Sequence, residues 1–284
     1  MTTEELQACR DGYIYIHDMS ARRDTMNCCL FNVKDVLTGG FEMGNLWYNE
    51  PKTLEVAFDV IGDIVLSAAS QQYGGFTVPS VDLLLEPFAE KSYEKYYRRY
   101  IDMGLTARIA DREAMKDIQK DFDQGFQGWE YKFNTVASSR GDYPFITMTF
   151  GTGTGKFAKI ASITMLNVRR KGQGKKNCKK PVLFPKLVFL YDENLHGAGK
   201  ELEDVFEAGI LCSSKSMYPD WLSLTGEGYV AEIYKKYGAI ISPMGCRAFL
   251  SPWFERGGME PADAEDKPVF VGRFNIGAVS LHLP

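Results

Sequence analysis

Residues 144 to 170 read PFITMTFGTGTGKFAKIASITMLNVRR. The β-rich run from Pro144 to Phe150 feeds the glycine loop GTGTG, and a helical pattern follows from Phe157 to Arg170. Strand, loop, helix is the unit from which α/β architectures are assembled. The alternation extends in both directions. Downstream, VLFPKLVFL from Val182 to Leu190 predicts a buried strand, with helices near Lys200 to Ser213 and Gly228 to Tyr237. Upstream, Pro51 precedes TLEVAFDVIGDIVLSAASQQ, residues 53 to 72, where Val56, Val60, Ile64 and Ala68 recur at helical spacing. Two more long helices are expected over about 80–105 and 111–138. The first fifty residues read as loops around a short strand at Tyr13 to Ile16, punctuated by Gly12, Gly39, Gly40 and Gly44. No repeat or low-complexity linker interrupts the 284 residues, so a single α/β domain with long outer helices is expected.

Composition narrows the function. The chain is 45% hydrophobic and 25% charged, with a formal net charge of -4, which describes a folded domain and excludes disorder and collagen-like repeats. An acidic balance argues against a protein held to nucleic acid by phosphate neutralisation. No stretch approaches the roughly 18 apolar residues of a membrane span, and MTTEELQACRDG lacks the order of a secretory signal, so a cytoplasmic location is expected. The six cysteines are too sparse for a disulfide scaffold and form no C-x-x-C pair, and the three histidines make no ligand pattern. No metal site is expected in this chain.

Three local features invite a chemical reading. GTGTGK, residues 151 to 156, resembles a phosphate loop, but only three residues separate Gly151 from Gly155 and Phe157 follows the lysine, so a tight turn is the simpler reading. The basic run Arg169, Arg170, Lys171, Lys175, Lys176, Lys179 and Lys180 reads as a solvated loop, with a nucleotide phosphate contact as the alternative. Cys28 and Cys29 are adjacent, which strains a disulfide between them, and Cys246 sits in PMGCRAFLSPW with Arg247 beside it.

These segments belong to an ordered series: YIYIHD at 13 to 18, MNCCLFN at 26 to 32, LTGGFEMGN at 37 to 45, QQYGGFTVP at 71 to 79 and FNTVASSRGDYPF at 133 to 145. It continues through FPKLVF at 184 to 189, CSSKSMYPDWLS at 212 to 223, MGCRAFLSP at 244 to 252 and GRFNIGAVSLHLP at 272 to 284. Together the blocks resemble the anaerobic (class III) ribonucleoside-triphosphate reductases of the glycyl-radical enzyme superfamily, over essentially the whole chain. The resemblance implies part of a ten-stranded α/β barrel. It also implies thiyl-radical reduction of ribonucleoside triphosphates to 2′-deoxyribonucleoside triphosphates, supplying DNA precursors under anaerobic conditions.

By that resemblance Cys246 matches the thiyl-radical cysteine, Cys28 the second thiol on the opposite ribose face, and Asn275 an active-site asparagine of members that use formate as reductant. Asn27 and His17 match positions near substrate or formate, and Asn49 and Lys52 match the site for the ATP or deoxynucleotide effectors that set substrate preference at a dimer interface. Ala248 stands where many relatives carry a serine. The resemblance implies a homodimer and a radical-SAM activating enzyme as partner, with neither membrane nor nucleic acid. The family's ATP-cone, its four-cysteine zinc site and its glycyl-radical loop have no counterpart in these residues. The expectation is therefore an incomplete catalytic barrel over 1–284, inactive alone and exposing apolar surface where the remainder packs. Two other readings remain: an inactive nucleotide-binding fragment or assembly partner, and a glycyl-radical enzyme of the pyruvate formate-lyase type, whose adjacent cysteines Cys28 and Cys29 could imitate.

Overall fold

The computed structural model describes residues 2–16, 26–135, 145–245, 248–277 and 279–282. His17, Cys246 and Arg247 lie outside the described residues, as does most of FNTVASSRGDYPF. The chain opens with helix α1 (Thr3–Arg10), strands β1 (Ile14–Ile16) and β2 (Cys29–Leu30), helix α2 (Val33–Leu37) and the hairpin β3 (Phe41–Met43) and β4 (Leu46–Tyr48). Then come α3 (Leu54–Ser70), β5 (Gly75–Val78), α4 (Val81–Asp102), α5 (Ala107–Thr135), β6 (Phe145–Phe150) and α6 (Lys156–Lys171). The hairpin β7 (Gln173–Lys175) and β8 (Cys178–Lys180) precedes β9 (Lys186–Tyr191), α7 (Glu203–Ser216), β10 (Asp220–Ser223), α8 (Tyr229–Tyr237), β11 (Arg273–Phe274) and β12 (Val279–Leu281).

Six strands form the central sheet in the order β10-β9-β6-β5-β2-β11, parallel throughout except for β11, which runs antiparallel to β2. Period-2 alternation sends side chains to two faces. Phe76, Val78, Ile146, Met148, Phe150, Leu187 and Phe189 join the core under helices α3 to α7. Leu30 and Leu190 join a second core with α8 and the segment around Ile241 and Met244. The mixed α/β architecture with long outer helices is as the sequence predicts.

The helix α5 shows why its residues are as they are. Phe122, Phe126, Trp129 and Phe133 recur at spacings of three and four and are all buried. Phe58 of α3 packs edge-on against Phe126 and Trp129 at 5.0 and 4.6 Å, and the Trp129 indole donates to Phe58 O at 2.8 Å. A Cβ at Gly125 would strike the Phe58 ring at 2.3 Å, so glycine's helix penalty is offset by aromatic packing.

Several boundaries differ from expectation. A helix α1 occupies residues read as loop, held by a capping box in which Glu5 N–H donates to Thr2 Oγ1 and Thr2 N–H to Glu5 Oε2, at 3.2 and 2.7 Å. In α3 the buried stripe runs Leu54, Phe58, Ile61, Val65, while Val56 is exposed. The strand expected from Val182 begins only at Lys186, because Pro185 has no N–H to give a neighbour. Helix α7 runs Glu203–Ser216, three residues later than predicted. The basic run is not uniformly solvated: Arg169 is 1% exposed, its Nε on Glu130 Oε1 and its Nη2 on Pro185 O, both at 2.7 Å. Lys175, Lys176, Lys179 and Lys180 are exposed, as expected.

The glycine loop after β6 binds anions of the protein itself. Asp82, fully buried on α4, accepts Gly151 and Gly153 N–H at 3.0 Å each, and Glu86 Oε1 accepts Ala158 N–H at 3.2 Å at the start of α6. A Cβ at Gly155 would lie 1.9 Å from Glu86 Oε1, leaving no room there for a phosphate. The tight-turn reading of GTGTGK therefore holds.

Burial raises the Asp82 pKa and outweighs the lowering by these N–H donors. A raised carboxyl pKa means the fold holds the proton more readily than the unfolded chain. The stability this group contributes is thus present below the ordinary carboxylate range and lost as pH rises through the raised value. Asp82→Asn is expected to gain on the wild type as pH rises, and Asp82→Ala to cost about 1–3 kcal/mol by orphaning two N–H groups. Urea titrations between pH 5 and 8 measure both.

Candidate functional site

The site forms at one end of β2 and β5, on the sheet face that carries α8. Cys28 and Cys29 occupy successive positions, so their side chains take opposite faces. Cys29 enters the helical core, 5% exposed, beside Gln72 at 3.3 Å, and burial pushes its thiol up to about 12. Cys28 packs on the other side, against the second core. Its sulfur accepts the Gly75 N–H at 3.1 Å and lies 3.7 Å from Asn27 Oδ1.

Strand β11 brings Asn275 to this point from 247 residues away. Asn27 N–H donates to Asn275 O and Asn275 N–H to Cys28 O, both at 2.9 Å. The Asn275 side-chain oxygen accepts Cys28 N–H at 2.7 Å, while its amide nitrogen has a 3.5 Å contact to Gly277 O. The carboxamide is thus anchored through its oxygen, with its N–H groups the more available donors.

The segment leading to Cys246 passes the same point. A Cβ on Gly245 would lie 3.4 Å from Cys28 Sγ, and one on Gly75 would lie 2.1 Å from Gly245 Cα. Gly74 is similarly constrained, its Cβ falling 2.1 Å from Asn27 Oδ1. The two glycines of QQYGG therefore let two backbone segments touch the strand. Met244 N–H donates to Ala248 O at 2.7 Å in an isolated antiparallel bridge.

Of the sequence-predicted residues, Cys28, Asn27, Asn275 and the residue before Cys246 are thus together. Ala248 is exposed. Asn49 and Lys52 are exposed between β4 and α3 and take no part in these contacts. His17 falls outside the described residues. A cavity of about 560 Å³ opens at the opposite ends of β2 and β5, lined by Asn32, Ser80, Leu84 and Lys91 among others, and none of the described candidate residues reaches it. Among the described residues no His, Cys, Asp and Glu group has the geometry of a metal site, and no helix is long and apolar enough to cross a membrane.

Sequence reasoning missed Thr77, Thr147 and Thr149, which face this side of the sheet. For Thr147 and Thr149 the signal was the alternation in FITMTF, which sets hydroxyls at the positions opposite the apolar ones.

Comparison with known proteins agrees with the geometry. The family model described as anaerobic ribonucleoside-triphosphate reductase matches residues 1–284. The anaerobic ribonucleoside-triphosphate reductase of Enterobacteria phage T4 is 36% identical over 283 residues, which are 98% of this chain and 44% of that protein. The protein of the same name from Salmonella typhimurium is 36% identical over 282 residues, 98% of this chain and 37% of that one. The chain thus spans less than half the length of these relatives. Among solved structures, the anaerobic ribonucleotide reductase from Thermotoga maritima with glycerol in the active site superposes with a TM-score of 0.57 at 17% identity, covering 82% of this chain and 38% of that one. The same enzyme in complex with dATP and CTP gives 0.53 at 16% identity, over 78% and 36% of the two chains. These likenesses show a shared fold.

Proposed function

Because this chain belongs to the anaerobic ribonucleoside-triphosphate reductase family, we propose that it is the part of such an enzyme that carries both substrate-flanking thiols and the formate-associated asparagine. The overall reaction is ribonucleoside triphosphate plus formate plus a proton giving the deoxynucleotide, carbon dioxide and water. The observation that carries this reading is the convergence of Cys28, Asn275 and the Gly245 backbone, three segments far apart in sequence, on one end of the sheet.

In this reading the Cys246 thiol would be oxidised by one electron, losing its hydrogen atom to a glycyl radical in the part of the family's proteins not represented in this chain. Cys246 then takes the 3′ hydrogen atom from the ribose. The 2′ hydroxyl takes up a proton and departs as water, and Cys28 gives a hydrogen atom to C2′ from the other face. Formate returns a hydrogen atom to the Cys28 sulfur and passes its remaining electron, with a proton, to the sugar as it becomes carbon dioxide, and Cys246 gives its hydrogen atom back at C3′. A thiol suits this work because its S–H exchanges a hydrogen atom with carbon radicals reversibly. Asn275, held through its oxygen by Cys28 N–H, keeps its amide N–H groups for a substrate hydroxyl or the formate oxygens, without a charge beside a radical. Asn27 and His17, by the resemblance, are the further residues near substrate or formate. Asn49 and Lys52 belong to a separate effector site for ATP or deoxynucleotides, formed in a homodimer, and zinc belongs to the remainder of the enzyme.

The opposite orientation of Cys28 and Cys29 weighs against a pyruvate formate-lyase reading, which needs both thiols in one site. Anaerobic turnover of the full-length protein, loaded by a radical-SAM activating enzyme and supplied with carbon-13 formate, tests the proposal. Labelled carbon dioxide released in a one-to-one ratio with deoxynucleotide is the expected result. Nucleotide binding with no reduction favours the inactive-fragment reading, and reduction without labelled carbon dioxide removes formate as reductant.

A further inference from the structure

The face of the sheet that meets Gly245 is furnished with hydroxyls where a parallel strand ordinarily carries valine or isoleucine. Thr77, Thr147 and Thr149 are each 0% exposed, and a valine would fill the same volume without burying a polar atom. Each hydroxyl bonds the segment 242–245, and that of Thr149 also accepts Ser80 N–H at 2.9 Å. Thr77 Oγ1 donates to Pro243 O at 2.9 Å and accepts Gly245 N–H at 3.0 Å. Thr147 Oγ1 donates to Gly245 O. One strand position further, Thr149 Oγ1 and Ser242 Oγ are 3.0 Å apart, and Ser242 is itself buried.

The consequence lies in the covalent geometry. Gly245 O belongs to the peptide plane that also contains the nitrogen of Cys246, and Gly245 N belongs to the plane before it. Two threonines on adjacent strands therefore hold both hydrogen-bonding groups of the residue immediately ahead of the cysteine. Gly245 takes φ +59, a conformation that gives the chain its turn there, and rests against Gly75. The same strand β5 supplies both the hydroxyl of Thr77 and the Gly75 N–H that meets Cys28 sulfur.

We infer that Thr77 and Thr147 are positioning residues: through its two hydrogen-bonding groups they fix Gly245, the residue that precedes Cys246 in the chain, against Gly75 and Cys28. The inference rests on the reading of Cys246 as the reactive thiol. The hydroxyls are not catalytic: their hydrogen bonds go to backbone. Misplacing a reacting group by about 1 Å can cost on the order of a hundredfold in rate.

The test compares Thr147→Val, which keeps the shape and loses the hydroxyl, with Thr147→Ser, which keeps the hydroxyl, in the full-length protein. The same pair at Thr77 is a second set should either valine variant fail to fold. Two readouts are taken. In turnover, the valine variant is expected to lose at least about tenfold in kcat with KM within about threefold, and serine to restore kcat to within about threefold of wild type. In the unactivated protein, mass spectrometry of alkylation by iodoacetamide is expected to show the Cys246 rate changed at least about threefold in the valine variant and restored by serine. Unchanged alkylation in a folded valine variant overturns the clamp, as does serine failing to restore kcat. The alkylation readout stands whether or not Cys246 proves essential for turnover, so failure of the clamp and failure of the reductase reading are distinguishable.

Discussion

Cys246→Ala in the full-length protein is expected to bring deoxynucleotide formation to background, a loss of at least about a thousandfold, because no other group replaces an essential reacting atom. Cys28→Ala is expected to fall comparably. In the proposed mechanism each thiol serves a different face of the ribose, so the double variant should lose no more than either single one, as groups acting in one sequence do. Cys29→Ala is the informative contrast. Its thiol lies in the helical core, so the change should cost about 1 kcal/mol in stability and leave turnover near wild type. Anaerobic product assays on the three variants decide the matter. A Cys246→Ala protein that keeps more than a tenth of its activity sinks the reductase assignment. Loss of deoxynucleotide formation in Cys29→Ala with unchanged stability contradicts a purely structural role for that thiol.

Gly75→Ala carries the second large effect, and its origin is steric. The new Cβ would lie 2.1 Å from Gly245 Cα, backbone against backbone, whereas carbon atoms in contact sit about 3.5–4.0 Å apart. No side chain can rotate away, so β5 or the 242–245 segment must shift by more than about 1 Å. Such overpacking costs about 1–3 kcal/mol. The shift also disturbs the Gly75 N–H contact to Cys28 sulfur and the seat of Gly245, so kcat is expected to drop about a hundredfold. Gly128→Ala provides the control: it lies inside α5 with open space where its Cβ would go, and should stabilise by about 0.5–1 kcal/mol with no change in turnover. Thermal melts and steady-state rates on the two variants measure the difference, and a Gly75→Ala protein with wild-type kcat contradicts the close approach.

The long elements were legible because periodicity persists over many residues. Helices α3, α4, α5, α6 and α8 and strand β6 begin and end within a few residues of the predicted bounds, where the described residues extend that far. The strands that build the site were not. Strands β2 and β11 are two residues each, and β5 is four with a glycine at its start. A strand so short has no measurable alternation, and its existence depends on partners supplied elsewhere in the chain. The same holds for Arg169, which sits in a run of cations and reads as solvated, yet is buried because Glu130, thirty-nine positions earlier, neutralises it.

The amino-acid sequence by itself determined the α/β class, the family and the identities of the candidate residues, since ordered blocks such as MNCCLFN and GRFNIGAVSL survive as local strings. It also determined that adjacent cysteines in an extended segment point to opposite faces, a property of the β backbone alone. Only the tertiary structure decided which of the two faces the site, that Asn275 caps Cys28 N–H, and that Thr77 and Thr147 hold Gly245. Those facts are contacts between residues 98 to 247 positions apart. Chain connectivity carries no record of them, and they exist only once parallel strands pair and the sheet buries both its faces.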